Sequence, residues 1–188
     1  CPQWALGIRA TGMPRMRLMD SYADQEKMGA LPSTAHVGYL LRAAPDWDYV
    51  KALRDAWDGP FIIKGVLEPE VAEKAEAEGV DAIWVSNHAG RQFDAAPAAI
   101  DILPEIREAT RLPLILDSGI EGGLDMLRAL AKGADFVMLG RAWHYALGAL
   151  GREGPAHLHD ILQKDMVANM AQIGARRVED LPGRLIRG

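Results

Sequence analysis

A chain of 188 residues, 49% hydrophobic and 25% charged, can form one globular domain with a substantial core, so a disordered or fibrous protein is excluded. A formal net charge of −5 excludes nucleic acid as the main partner, and a single cysteine, Cys1, excludes an internal disulfide and a cysteine zinc site. No apolar run approaches the roughly 18 residues needed to span a bilayer, which excludes an integral membrane protein.

Residues 1–45 show neither a helical nor a strand period, so we expect an irregular loop segment. Arg9, Arg15 and Arg17 alternate there with apolar side chains, namely Met13, Met16, Leu18 and Met19. Cations beside apolar side chains are compatible with attachment to a membrane surface. A flexible surface loop is the alternative.

From Asp46 to the end of the chain, residues 46–188, short apolar runs alternate with helical patterns. The predicted strands are 61–66, 81–86, 112–117 and 135–140. The predicted helices are 46–57, 68–79, 97–110, 123–132, 143–150 and 155–173. Strands that alternate with helices form βαβ units, so the pattern predicts an α/β fold with a parallel sheet.

An internal repeat indicates the architecture. Gly79–Ile83 resembles Gly133–Val137, which begins 54 residues later and therefore spans two βα units. Regular βα units are typical of a (β/α)8 TIM barrel, which needs about 200 residues or more. The four units predicted here amount to half of such a barrel.

Polar residues follow every predicted strand, whereas the strand interiors are apolar. In a (β/α) barrel the active site lies at these carboxyl ends. The polar segments are Lys64–Gly65, Ser86–Arg91, Asp117–Gly119 and Gly140–Arg141.

Two of these segments have the composition of a phosphate site. Asp117–Gly123 leads into a predicted helix, where free backbone N–H groups can face an anion. Gly140 allows close backbone approach, and Arg141 offers a bidentate guanidinium. The alternative is that the glycines only form tight turns.

His88 and Arg91 follow the same strand, three residues apart. Histidine can act as a base near neutral pH, and the planar guanidinium suits a carboxylate. In isolation each could be an ordinary surface residue, as could Lys64, but their shared position at the strand ends favours a site. We expect no metal site, and a structural role for the remaining residues of interest, His36, His144, His157, His159, Trp84 and Trp143.

The segment Ser86–Asp94, SNHAGRQFD, resembles the SNHGGRQLD signature of the FMN-dependent α-hydroxy acid dehydrogenases and oxidases. This family includes L-lactate dehydrogenase, mandelate dehydrogenase and glycolate oxidase. The Lys64–Gly65 strand and the segment from Asp117 to Arg141 are similar to its flavin-binding motifs. The resemblance extends from Pro2 to Ile186 and covers the C-terminal half of a family member.

The resemblance implies FMN as cofactor and oxidation of an L-2-hydroxy acid to a 2-oxo acid, with His88 as the base and Arg91 as the ligand of the substrate carboxylate. It implies that Lys64 stabilises negative charge at the flavin N1/C2 carbonyl and that Ser86 contacts the flavin. The residues implied to hold the rest of the cofactor, including its phosphate, are Asp117, Ser118, Gly119, Gly140 and Arg141.

The resemblance also implies partners. These are the missing N-terminal half of the barrel, an electron acceptor (oxygen, a quinone or a cytochrome), and other copies of the chain in a homo-oligomer. It implies a cytoplasmic location, or peripheral attachment at the inner face of the bacterial membrane. The alternatives are a different phosphate-binding barrel, such as an FMN-dependent isomerase, and a non-catalytic half-barrel scaffold.

The chain departs from the family pattern at three positions. Ala89 replaces the first glycine of the signature, and Phe93 replaces its leucine. Glu121 stands where many members have a phosphate-binding arginine, so a carboxylate would repel the phosphate there.

Overall fold

A computed structural model describes residues 2–12 and 45–185. The chain divides into two compact units, Cys1–Val50 and Lys51–Gly188. In the part that is described, no helix is both long enough and apolar enough to cross a membrane.

The first unit contains a helix that the sequence pattern did not indicate. Helix α1 spans Pro2–Thr11, at the start of the segment predicted to be irregular. A proline suits the first turn of a helix because the amide it lacks would have no partner there. Among the side chains of α1 whose burial is described, most are exposed, so these residues give the sequence no apolar period. Arg15, Arg17 and the predicted membrane-facing methionines lie outside the described residues.

The alternation of strands and helices predicted from residue 46 onward is confirmed. The strands are β1 (Ile62–Val66), β2 (Ala82–Val85), β3 (Leu114–Leu116) and β4 (Phe136–Val137). The helices are α2 (Trp47–Ala56), α3 (Pro69–Ala77), α4 (Ala99–Ala109), α5 (Gly123–Ala131), α6 (Arg141–Leu150) and α7 (Gly154–Gln172). Short 3-10 helices span His88–Gly90, Gly151–Glu153 and Val178–Arg184. All strand pairs are parallel, in the order β1-β2-β3-β4.

One face of the sheet forms the core with the helices. Ile83, Val85, Leu114 and Leu116 on the central strands are fully buried. The helices bury small and branched side chains, namely Ala72, Ala75, Leu103, Ile106, Leu127 and Ala129. Apolar burial on this face is the main stabilising contribution to the half-barrel.

The other face of the sheet is only partly covered. Lys64, Trp84, Ile115 and Phe136 pair across the four strands, so their side chains share this face. Phe136 is 60% exposed, and Ile62, two residues before Lys64, is 43% exposed. In a complete barrel this face would point inward.

An arginine clamps the amino ends of β1 and β2. Arg54 donates to Asp81 Oδ2 at 2.9 Å and to the carbonyl of Gly59 at 2.8 Å. Asp81 Oδ2 also accepts the backbone N–H of Phe61 at 2.7 Å. The Phe61 hydrogen bond, assisted by Arg54, lowers the pKa of Asp81 below its ordinary value.

The same clamp recurs at the amino ends of β3 and β4. Arg107 donates to Asp135 Oδ2 at 3.2 Å, to the carbonyl of Leu112 at 3.0 Å and to the carbonyl of Thr110. Asp135 Oδ2 accepts the backbone N–H of Leu114 at 2.8 Å. The repeat seen in the sequence is thus also a repeat of contacts, since Asp81 and Asp135 occupy equivalent positions in it.

Candidate functional site

A cavity of about 730 Å³ opens at the carboxyl ends of the strands. Its volume lies within the range of about 300–1,000 Å³ that is common for small-molecule and cofactor sites. The predicted residues that line it are Lys64, His88, Arg91, Asp117, Ser118, Gly119, Gly140 and Arg141. Ser86 is buried beneath this set and contacts Lys64.

A bulge at Gly65 shapes the end of β1. Lys64 pairs with Trp84 but Val66 pairs with Val85, so Gly65 is an extra residue in the strand. Its φ of +95° is a conformation that residues with a Cβ rarely adopt, which explains the glycine.

The Lys64 ammonium lies at the centre of a polar cluster. Lys64 Nζ donates to Ser86 Oγ at 2.7 Å and lies 3.1 Å from Asp117 Oδ2. Trp84 and Ile115 lie beside Lys64 on the two neighbouring strands. Ser86 comes two residues after Trp84, and Asp117 comes two residues after Ile115. Because side chains alternate between the faces of a strand, Ser86 and Asp117 lie on the same face as Lys64.

The environment of Asp117 favours its charged form. Burial opposes ionisation, but hydrogen bonds from Ser86, Ser118 and Lys64, together with the Lys64 charge, outweigh it and lower the pKa of Asp117 below its ordinary value of 3.8. At neutral pH the cluster therefore contains a carboxylate paired with an ammonium.

His88 and Arg91 lie together at the rim of the cavity. Arg91 Nη2 is 2.8 Å from His88 Nε2, and both side chains are exposed in this chain. The 3-10 turn at His88–Gly90 brings the two residues to the same side, three positions apart. A potential base and a carboxylate-binding group are thus adjacent.

The predicted anion site at the start of α5 needs correction. The amide of Gly123 donates to Asp165 Oδ2 at 2.6 Å, and the amide of Glu121 donates to Asp125 Oδ2 at 3.2 Å. Two of the amides expected to be free are therefore bound to carboxylates. Asp165 lies on α7, 42 residues after Gly123, so the local sequence could not indicate this contact.

The phosphate-binding features that remain lie at Gly119 and at the start of α6. A Cβ added to Gly119 or Gly140 would meet no protein atom within 4 Å, so a ligand could approach either backbone closely. Arg141 begins α6 and lines the same cavity. Cationic side chains and open glycine backbone together fit a phosphate-bearing cofactor.

The aromatic rings of Trp84, His144 and Tyr145 also belong to the cavity, although the sequence did not indicate them as site residues. Trp84 lies under Lys64, with Nζ 4.8 Å from the centre of the indole ring. His144 and Tyr145, in the first turns of α6, also line the cavity, contrary to the purely structural role predicted for His144. His144 and Tyr145 come three and four residues after Arg141, so they lie on the same side of α6 as Arg141. This spacing was the sequence feature that could have indicated them as cavity residues.

Trp84 also carries a buried donor without an acceptor. Among the described residues, Trp84 Nε1 and Asn87 Oδ1 are buried side-chain atoms with no hydrogen-bond partner. A buried unpaired polar atom is unfavourable. An acceptor supplied by a cofactor or by further protein would satisfy the Trp84 indole.

The sequence matches a known family along almost its whole length. The family model described as FMN-dependent dehydrogenase matches residues 2–188. An L-lactate dehydrogenase of Allorhizobium ampelinum is 39% identical over 190 residues, an alignment that covers 100% of this chain and 50% of that protein. The chain therefore spans about half the length of this relative.

The fold has solved counterparts. The monotopic membrane protein (S)-mandelate dehydrogenase superposes with a TM-score of 0.89 at 33% identity, over 100% of this chain and 50% of that one. A mandelate oxidase mutant with a monooxide FMN adduct gives a TM-score of 0.71 at 37% identity, over 74% of this chain and 45% of that one. These matches confirm the resemblance found in SNHAGRQFD, and the chain belongs to the FMN-dependent dehydrogenase family.

Proposed function

We propose that this chain is the C-terminal half of the barrel of an FMN-dependent enzyme that oxidises an L-2-hydroxy acid to the 2-oxo acid. The observation that carries the proposal is the 2.8 Å contact between His88 Nε2 and Arg91 Nη2. A 2-hydroxy acid has its hydroxyl and its carboxylate on neighbouring carbons, so it requires a base and a carboxylate-binding group side by side.

His88 and Arg91 bind different groups of the substrate. The Arg91 guanidinium has five N–H donors, so it can bind a carboxylate beside His88. His88 Nε2 has one lone pair, so it accepts the hydroxyl proton once the Arg91 N–H that occupies this lone pair has turned to the substrate carboxylate. FMN, when bound, would accept the hydrogen of the substrate carbon together with its two electrons. The mandelate oxidase with an FMN adduct and the family match support this choice of cofactor.

The Lys64 cluster serves the cofactor. Lys64 would offset negative charge on the reduced flavin, with Ser86 beside it, and Asp117 holds the ammonium in place by their 3.1 Å ion pair. Asp117 is itself anionic, so we assign it to Lys64 and not to the phosphate. Gly119, Gly140 and Arg141 would hold the phosphate.

The other half of the barrel must cover the inner sheet face. Ile62 and Phe136 are exposed on the edge strands, and an apolar cavity of about 410 Å³ lies beside β4, lined in part by the half-buried Trp143. Exposed apolar surface and open strand edges favour association with more protein. We assign this role to an N-terminal half like that of the relatives, in the same polypeptide or in another.

Bound flavin provides the direct test. The purified protein, in its complete natural form, should show visible flavin absorbance that bleaches anaerobically with L-lactate or (S)-mandelate and persists with the D-enantiomer. Flavin that no 2-hydroxy acid bleaches would favour a different FMN barrel enzyme. Absence of flavin after incubation with FMN would favour a scaffold.

We further propose peripheral attachment to the inner face of the membrane through residues 1–45. The support is the monotopic relative of the same fold and the cationic, apolar composition of the segment, of which Arg9 is exposed on α1. Vesicle co-sedimentation should show binding to anionic lipids by the complete protein and its loss on deletion of residues 5–30, with hydroxy-acid oxidation retained. Equal sedimentation of both forms would refute the membrane role.

A further inference from the structure

The backbone of the catalytic loop is held in an unusual conformation. His88 and Ala89 have consecutive φ values of +55° and +56°, in the left-handed region that residues with a Cβ rarely adopt. Such a conformation persists where surrounding contacts enforce it. The amides of these two residues show which contacts do so.

Each amide donates to a serine hydroxyl. His88 N donates to Ser86 Oγ at 3.1 Å, and Ala89 N donates to Ser118 Oγ at 3.0 Å. Ser86 directly follows β2, on the strand that leads into the loop. Ser118 follows β3, so its hydroxyl connects the loop to a neighbouring strand end.

The Ser118 hydroxyl both donates and accepts a hydrogen bond within the protein. Its single hydrogen goes to Asp117 Oδ1, with an oxygen–oxygen distance of 2.7 Å, while its oxygen accepts the Ala89 amide. Ser118 itself has a φ of +72°, so a glycine would suit the backbone better. The two hydrogen bonds of the hydroxyl explain why a serine occupies this position.

These contacts close a ring. From Ala89 the path runs through Ser118 to Asp117, from Asp117 to Lys64, and from Lys64 through Ser86 to the amide of His88. The ion pair that faces the cofactor is thereby connected to the loop that carries the base. Because hydrogen bonds in such a network reinforce one another, loss of one member weakens the rest.

We propose that Ser118 is a positioning residue that fixes the His88–Ala89 backbone, and thereby the His88 imidazole, through the Ala89 amide. This inference rests on the proposed function where it takes His88 to be the base. It differs from the role implied by the family resemblance, in which Ser118 contacts the cofactor.

Two variants separate these roles in the complete protein. Ser118→Ala removes the hydroxyl and leaves the left-handed backbone unfavourable, whereas Ser118→Gly removes the hydroxyl and accommodates the backbone. In both, hydrogen exchange of the Ala89 amide, measured by NMR without FMN or substrate, should become about tenfold faster or more. Ser118→Gly should fold even if Ser118→Ala does not. Unchanged exchange at Ala89 in either folded variant would overturn the proposal, whether or not the protein oxidises hydroxy acids.

Kinetics give a second readout. With FMN saturating, the rate of anaerobic flavin reduction by L-lactate or (S)-mandelate should fall about tenfold in both variants, a larger factor than the fall in FMN affinity. Weaker FMN binding with a normal reduction rate would assign Ser118 to the cofactor and overturn the proposal.

Discussion

Arg91 Nη2 lies 2.8 Å from His88 Nε2, and this contact fixes the state of the histidine. A guanidinium only donates hydrogen bonds, so Nε2 is the acceptor in this contact, which places the ring proton on Nδ1. A substrate carboxylate that takes over this Arg91 N–H would leave the Nε2 lone pair free to accept from the neighbouring hydroxyl.

Replacing the His88 imidazole should slow flavin reduction and leave FMN binding unchanged. In His88→Gln we expect FMN to remain bound while anaerobic reduction by the 2-hydroxy acid slows by roughly 10²–10⁴-fold, because an amide cannot accept the proton. Stopped-flow absorbance measures the rate. His157→Gln, an exposed residue of α7, is the matched control and should reduce normally. Near-normal reduction in His88→Gln would remove His88 from the mechanism.

Arg91→Lys should weaken carboxylate binding, because an ammonium cannot reproduce the planar fork. We expect the KM for the acid to rise about 10- to 100-fold, as for loss of a hydrogen bond to a charged group. Steady-state kinetics with Arg152→Lys, an exposed residue, as control provide the test. Wild-type KM and kcat together would show that Arg91 does not bind the substrate.

Glu121→Arg should tighten FMN binding about tenfold by replacing a carboxylate with a cation at the cavity wall. Glu121 lines the cavity near Gly119, and its own amide is bound by Asp125. Titration of the apoprotein with FMN measures the affinity. Glu105→Arg, exposed on α4, adds the same charge away from the cavity and should leave the affinity unchanged. Equal or weaker binding by Glu121→Arg would mean that Glu121 points away from the phosphate.

Asp117 should make stability depend on pH in the acid range. Its folded pKa is lowered, so its contribution is fully present above the ordinary value of 3.8 and is lost as pH falls below it toward the folded pKa. The difference in free energy of unfolding between wild type and Asp117→Asn should therefore be constant near neutral pH and shrink below about pH 3.8. Urea unfolding over a pH series measures it, with Asp55→Asn, exposed on α2, as control. A difference that stays constant through this range would contradict the prediction.

The clamp at β3 and β4 should contribute to stability without affecting the site. Arg107→Met keeps the apolar stem but removes the guanidinium donor from the carbonyls of Thr110 and Leu112 and from Asp135, which retains only the Leu114 amide. We expect the free energy of unfolding to fall by about 1–3 kcal/mol. Arg128→Met removes an exposed i,i+3 pair with Asp125 and should cost less than about 1 kcal/mol. Urea denaturation compares the two. Equal losses would mean that the clamp is no stronger than a surface ion pair.

The sequence predicted most of the half-barrel, because buried strands leave apolar runs and their carboxyl ends carry polar residues. The sequence therefore predicts Lys64, His88 and Arg141 at one edge of the sheet, and all three line the cavity there. Such patterns do not predict contacts between residues that are far apart in the sequence. The Asp165 carboxylate on the Gly123 amide is one such case. The cation–π contact of Lys64 with Trp84 is another, since it depends on strand register.

The two clamps also bear on how the chain reaches its folded state. Arg54 and Asp81 are 27 residues apart, and Arg107 and Asp135 are 28 apart, so each contact closes a short segment. Short closures carry a small entropic cost and favour rapid folding. Each clamp also joins two parallel strands before any pairing with the other half of the barrel is required. We therefore expect the half-barrel to assemble as two quarter-barrel modules, β1 with β2 and β3 with β4, whose amino ends close early in folding.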